Sequence, residues 1–252
     1  MVTILCVVWL PSASETTGQN ENSNLDLKID SLSVESGDME EALRLLRRKD
    51  YTKILIGFEK VPQWWEGKEP KNISLDITNA TVRDILDQLC EADSQYAYEV
   101  IDNVLINVFP KEARNYEGNL LNTAIQRFSV HRIHTPGGII VAIREYAPEL
   151  RDYLFQKRSE YYARKGVTPP GVPGHGFSSR GMSSPRFDLE LENMTVREIL
   201  NAVVLYSLKL YRERPPDSNG WRPPPTSWIY KFTLKPDDPT GLEGIPRWDT
   251  LN

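Results

Sequence analysis

The sequence predicts an α+β protein made of two related small units, each with helices packed on a mixed or antiparallel sheet. Three observations carry that expectation: an internal repeat, a change of hydrophobic period inside each copy, and a helix-capping signal at the same point of both. Residues 73–89 read ISLDITNATVRDILDQL and residues 187–203 read FDLELENMTVREILNAV. They align without a gap, with identities at Leu75/Leu189, Asn79/Asn193, Thr81/Thr195, Val82/Val196, Arg83/Arg197, Ile85/Ile199 and Leu86/Leu200.

Within each copy the first half alternates. Ile73, Leu75 and Ile77 are separated by polar residues, as are Phe187, Leu189 and Leu191. Period two predicts a strand with one buried face. The second half changes period. Val82, Ile85, Leu86, Leu89 and Cys90, and likewise Val196, Ile199, Leu200, Val203 and Val204, fall on one helical face. Thr81 with Asp84, and Thr195 with Glu198, have the spacing of a capping box, in which a hydroxyl accepts from an orphan amide and an acid reaches back. Asn79 and Asn193 make the turn before the cap. Their Asn-x-Thr triplets also match glycosylation acceptors, but capping explains them without a sugar.

Along the chain, residues 1–14 open with an apolar run followed by small residues, the pattern of a signal peptide. Residues 15–24 are polar and aperiodic and read as a flexible leader. The first unit is expected at 25–111. It starts with a strand around Leu32–Val34 and a helix over Met39, Ala42, Leu43 and Leu46 capped by Asp38. A strand at 53–59, the repeat segment, and a hairpin at 95–100 and 104–109 complete it. A connector at 112–126 leads to a second, elaborated unit at 127–236. It holds a strand around Phe128–Val130, a helix over 144–163 that Pro148 must kink or restart, the second repeat segment, and strands at 207–212 and 228–234. Residues 213–227 form a proline-rich excursion, and the tail, 237–252, shows no periodicity.

The block 36–109 resembles the short N-terminal domain found in secretins and TonB-dependent transducers. The resemblance rests on Gly37-Asp38-x-x-x-Ala42-Leu43, on Ile73–Ile77 with Ala80-Thr81-Val82-x-x-Ile85-Leu86, and on Tyr96-x-Tyr98 with Asn103-Val104-Leu105-Ile106. The second unit matches through 187–203 and 228–234. The resemblance implies a location in the bacterial envelope and a role as a protein-interaction module. The plug or signalling-arm role of those larger channels is not carried over.

Composition narrows the functional classes. Net charge is −5, which makes no case for nucleic acid, and no apolar run reaches the ~18 residues that span a bilayer. Membrane contact is therefore expected only by association. Residues 15–50 hold nine acids against five bases, whereas the loop 164–186 holds Arg164, Lys165, Arg180 and Arg186 and no acid. Candidate interaction residues are Arg180 and Arg186 in that loop, Trp64 and Trp65 in the loop of the first unit, and Trp221 in the proline-rich excursion, since exposed aromatics and cations mark contacts.

No catalytic, cofactor or metal residues are expected. His131 and His134 are three apart on a strand, which turns them to opposite faces, and neither cysteine nor carboxylate completes a tetrahedral set. His175 lacks an orienting partner. Cys6 sits inside the opening apolar run, and Cys90 falls on the apolar face of the repeat helix and reads as core. The expected function is a non-enzymatic, exported binding or assembly module with a protein partner. An enzyme with a site between the units and a cytoplasmic adaptor stand as the alternatives. The partner's identity and the oligomeric state stay open.

Overall fold

A computed structural model describes residues 23–60, 71–115, 119–133, 136–141, 143–166, 187–213, 215–216, 220, 222, 224–231 and 247–251. The first unit holds β1 (Lys28–Gly37), α1 (Met39–Lys49), β2 (Leu55–Lys60), β3 (Ile73–Thr81), α2 (Val82–Ala92), β4 (Tyr96–Ile101) and β5 (Leu105–Pro110). The second holds β6 (Ala124–Ile133), α3 (Pro136–Val141), α4 (Ile143–Tyr146), α5 (Pro148–Lys165), β7 (Phe187–Thr195), α6 (Val196–Glu213), β8 (Trp228–Lys231) and β9 (Arg247–Thr250).

Local chemistry explains most of these boundaries. Asp38 caps α1 through the Glu41 amide. Thr81 and Asp84 close a capping box on α2, and Thr195 and Glu198 make the same reciprocal pair on α6. Asn79 and Asn193 make no turn, contrary to expectation: each lies inside its strand, β3 or β7, paired in register on both sides, and takes left-handed backbone there with φ of 49° and 54°, a conformation asparagine tolerates. Asp102 and Asn103 both have positive φ, and the Val104 amide bonds back to the Ile101 carbonyl. That is the type I′ turn whose twist suits a hairpin. Pro148 starts α5 at its first turn and does not kink a longer helix.

The α+β class stands, and the two units are assembled in layers. β1 pairs antiparallel with β3, and β6 pairs antiparallel with β7, as two ribbons. The ribbons have matching registers: Lys28 faces Thr81 and Val34 faces Leu75, while Ala124 faces Thr195 and Val130 faces Leu189, and each breaks register just beyond. Each ribbon starts from a 3-10 turn, Asn24–Asp26 or Leu120–Asn122. The Val82 amide bonds to Leu27 O, and the Val196 amide bonds to Thr123 O.

Between the ribbons lies one mixed five-stranded sheet in the order β4-β5-β2-β8-β9. Its two faces feed two cores. Ile56, Phe58, Ile106, Val108 and Ile229 join α1, α2 and the first ribbon. Leu55, Leu105, Trp228 and Tyr230 join α3–α6 and the second ribbon. The units therefore share a sheet and keep separate cores. Alternation sends neighbouring residues of one strand to opposite faces, so β2 serves both units, and its near-continuous apolar run is what a strand buried on both faces needs.

Four further expectations need correction. Residues 207–212 are the continuation of α6 and not a strand. The local alternation Leu208/Leu210 is outweighed by a helical face that runs on from Val196 through Val203 and Val204 to Ser207 and Leu208, all buried. The tail is partly built in, because Arg247–Thr250 form β9 against β8 and Leu251 is fully buried. Ser23 and Asn24 belong to the first 3-10 turn and not to a leader: Ser23 Oγ accepts from the Leu25 amide, and the Asn24 side chain donates to Lys53 O. The connector likewise contains the 3-10 turn Leu120–Asn122 and the first residues of β6. The apolar run 1–14 lies outside the described residues.

Candidate functional site

The chemistry-bearing side chains gather at three places. The first is a buried joint between the units. Glu59, near the end of β2, directly follows the apolar run from Ile54 to Phe58, and it is 2% exposed. Arg197, on the first turn of α6, grips it with two bonds, Nε–Oε1 at 2.5 Å and Nη2–Oε2 at 3.0 Å. Asn119 Nδ2 donates to Oε2 at 3.2 Å, and the Arg114 guanidinium lies 3.5 Å from Oε1. Arg197 Nη1 also donates to Asn122 Oδ1 at 2.6 Å, and Arg114 pairs with Glu99 of β4. Charge-assisted bidentate bonds of this kind are strong and directional. Burial and the adjacent Glu59 carboxylate raise the Tyr230 phenol well above its ordinary range.

The second place is a half-buried ionic group at the carboxyl ends of β2 and β8. Lys60 bridges Asp38 and Glu40, and Lys231 and Arg44 also reach Glu40. Partial burial alone would raise the Glu40 pKa. Hydrogen bonds from Lys231, Lys60 and Arg44 outweigh it and bring the carboxyl from 4.5 to about 2. A depressed folded-state pKa contributes stability above the unfolded value and loses it as pH falls toward the folded one. We expect acid unfolding to acquire a component between about pH 4.5 and pH 2 from this residue. Chemical denaturation across that window checks it. Glu40→Gln should flatten the slope, and an unchanged slope would remove Glu40 from the account.

The third place is the outer edge of β4. The strand pairs with β5 on one side, and no described strand lies on the other. The Lys111 amide donates to Gln95 O at 2.9 Å. Antiparallel alternation then turns the amides of Ala97, Glu99 and Ile101 to β5 and those of Tyr98 and Val100 to the open side. Beside this edge Tyr98 Oη donates to Asp87 of α2 at 2.7 Å. Burial, then that bond, pushes the Tyr98 phenol up to about 12.

All five candidate interaction residues, Trp64, Trp65, Trp221, Arg180 and Arg186, lie outside the described residues, as do His134 and His175. His131 is exposed, 3.7 Å from Asp188 and 3.6 Å from Glu190. Among the described residues no group of three His, Cys, Asp or Glu side chains could hold a metal ion. Burial pushes the half-buried Cys90 thiol up to about 11. The joint at Glu59 was not singled out by sequence. The signals are an acid that closes an apolar strand segment and an arginine repeated at Arg83 and Arg197, and neither says that the two meet.

One further buried cation serves the fold. Arg47 on α1 is 5% exposed and donates to Ser227 Oγ and Pro225 O, both at 2.7 Å, which ties the end of the proline-rich excursion to the first unit. Ser227 Oγ in turn accepts from the Ile56 amide. No described helix is long and apolar enough to cross a membrane. No family model, curated protein or solved structure matches the chain.

Proposed function

We propose that this protein is a non-enzymatic, exported binding module of a bacterial cell envelope, and that protein partners dock by strand addition. The outer edge of β4, which no described strand covers, carries the reading. An edge strand presents unpaired backbone donors and acceptors, and β4 has no proline, no lysine and no bulge in Tyr96–Ile101, its one charge, Glu99, being paired with Arg114. Strand addition draws its affinity from those backbone groups and its specificity from flanking side chains. The resemblance of 36–109 to the short N-terminal domain of secretins and TonB-dependent transducers supports the envelope location, and the small-residue pattern after the first apolar run supports export.

Polar groups at the joint between the units support a binding role over a reaction. Both Glu59 oxygens are engaged by Arg197 and Asn119, so the carboxylate holds the halves together. Fractionation of the native host followed by mass spectrometry of the N-terminus tests the reading. We expect a chain lacking residues 1–14 in the envelope fraction. A cytoplasmic chain retaining them would overturn it.

A further inference from the structure

The molecule contains one example of a strand added in the way β4 invites. β8 occupies the place in the second unit that β4 holds in the first: each follows the repeat helix and pairs antiparallel with the next strand. Leu251 N donates to Ser227 O as Lys111 N donates to Gln95 O, so Trp228 and Tyr230 stand where Tyr96 and Tyr98 stand. Each pair faces its own unit's core. The same helix position is bonded to the strand in both units, although from different strand positions: Tyr98 Oη donates to Asp87 of α2, and Trp228 Nε1, at the place of Tyr96, donates to Asn201 of α6. The outer edge of β8 is covered by β2, which runs parallel to it with Glu59 opposite Tyr230. That register delivers the Glu59 carboxylate to Arg197.

The residue matching Arg197 is Arg83. Its side chain is 49% exposed, and its described ion pair is to Asp26 at 3.7 Å, itself 52% exposed. Asp26 matches Asn122, which accepts from Arg197, and Ser23 matches Asn119. The first unit thus keeps the arginine, with Asp26 and Ser23 in place of Asn122 and Asn119, close enough to Tyr98 for its charge to act on the phenol, at a sheet edge that no described strand covers.

We propose that the outer edge of β4 accepts one extended strand of a partner protein, parallel to β4, with an acidic residue opposite Tyr98 that pairs with Arg83. This rests on the strand-addition reading above and adds the direction, the register and the chemistry of the partner. The Tyr96 amide is taken by Asp93 O, so the new ladder uses Tyr98 and Val100. The next partner residue lies opposite Glu99, as Lys60 lies opposite Lys231, and a basic side chain there is favoured. Asp26 in place of Asn122 already compensates part of the Arg83 charge, so the incoming acid is held less tightly than Glu59.

The test uses the full-length chain and a synthetic peptide of residues 53–60, KILIGFEK, which spans β2 and the two residues before it, as the probe, titrated by NMR. Saturable shifts at the Tyr98 and Val100 amides are expected. Arg83→Ala, or Gln for Glu in the peptide, should each weaken binding about fivefold, as for a partly exposed ion pair. Asp26→Asn should tighten it. Val100→Pro removes an outward donor that an edge strand can spare, and should abolish binding in a chain that circular dichroism shows is folded. No saturable binding, binding indifferent to both charge changes, or shifts confined to β9 would overturn the proposal. The outcome is independent of compartment: peptide binding by a chain found in the cytoplasm would retain the edge site and discard the envelope reading.

Discussion

Glu59→Ala should destabilise the protein by about 3–5 kcal/mol, the range for removing one partner of a buried ion pair. The carboxylate is buried between Arg197 and Arg114; without it Arg197 loses its ion pair among the described residues, while Arg114 keeps Glu99. Asn119 would lose an acceptor as well. Urea denaturation compared with the parent chain measures the loss. The double variant Glu59→Leu with Arg197→Met should recover most of it, because apolar replacement of a buried pair is far cheaper than orphaning one member. A single variant within about 1 kcal/mol of the parent would mean that water reaches the joint and the pair is not buried in solution.

Gly57→Ala should be the second most damaging change, although it adds one methyl group. A Cβ at this position would come within 2.3 Å of Asn107 Oδ1 and 2.5 Å of the Trp228 ring. Both neighbours are themselves buried, at 1% and 0% exposure, and cannot swing into solvent. Trp228 is further pinned by its bond to Asn201. Overpacking of this kind costs about 1–3 kcal/mol. Because Gly57 lies between β5 and β8, the strain falls on the sheet that both units share. Thermal unfolding measures the size of the effect, and cooperativity locates it: one lowered transition is expected, whereas two separated transitions would show that the units melt independently.

Local features were readable because their causes are local. The caps at Asp38, Thr81 and Thr195 depend on side chains within three residues, and the ribbon and helix of each repeat depend on periodicity within about 17 residues. The misreading of 207–212 has the same origin: a short alternating stretch cannot reveal that a helical face beginning at Val196 continues through it. β9 is illegible for the opposite reason, since Arg247–Thr250 carry almost no pattern of their own and gain strand structure from pairing with β8.

By itself the sequence determined two matching strand-to-helix units, their caps and their turns, because backbone propensity, capping and side-chain period act over a few residues. Tertiary structure alone decided that one sheet serves both units, that Glu59 and Arg197 meet across 138 positions, and that no described strand covers the outer edge of β4. Those are choices among distant pairings. They are settled by which strands share hydrogen bonds and which buried charges find a counter-charge, and neither has a signature in neighbouring residues.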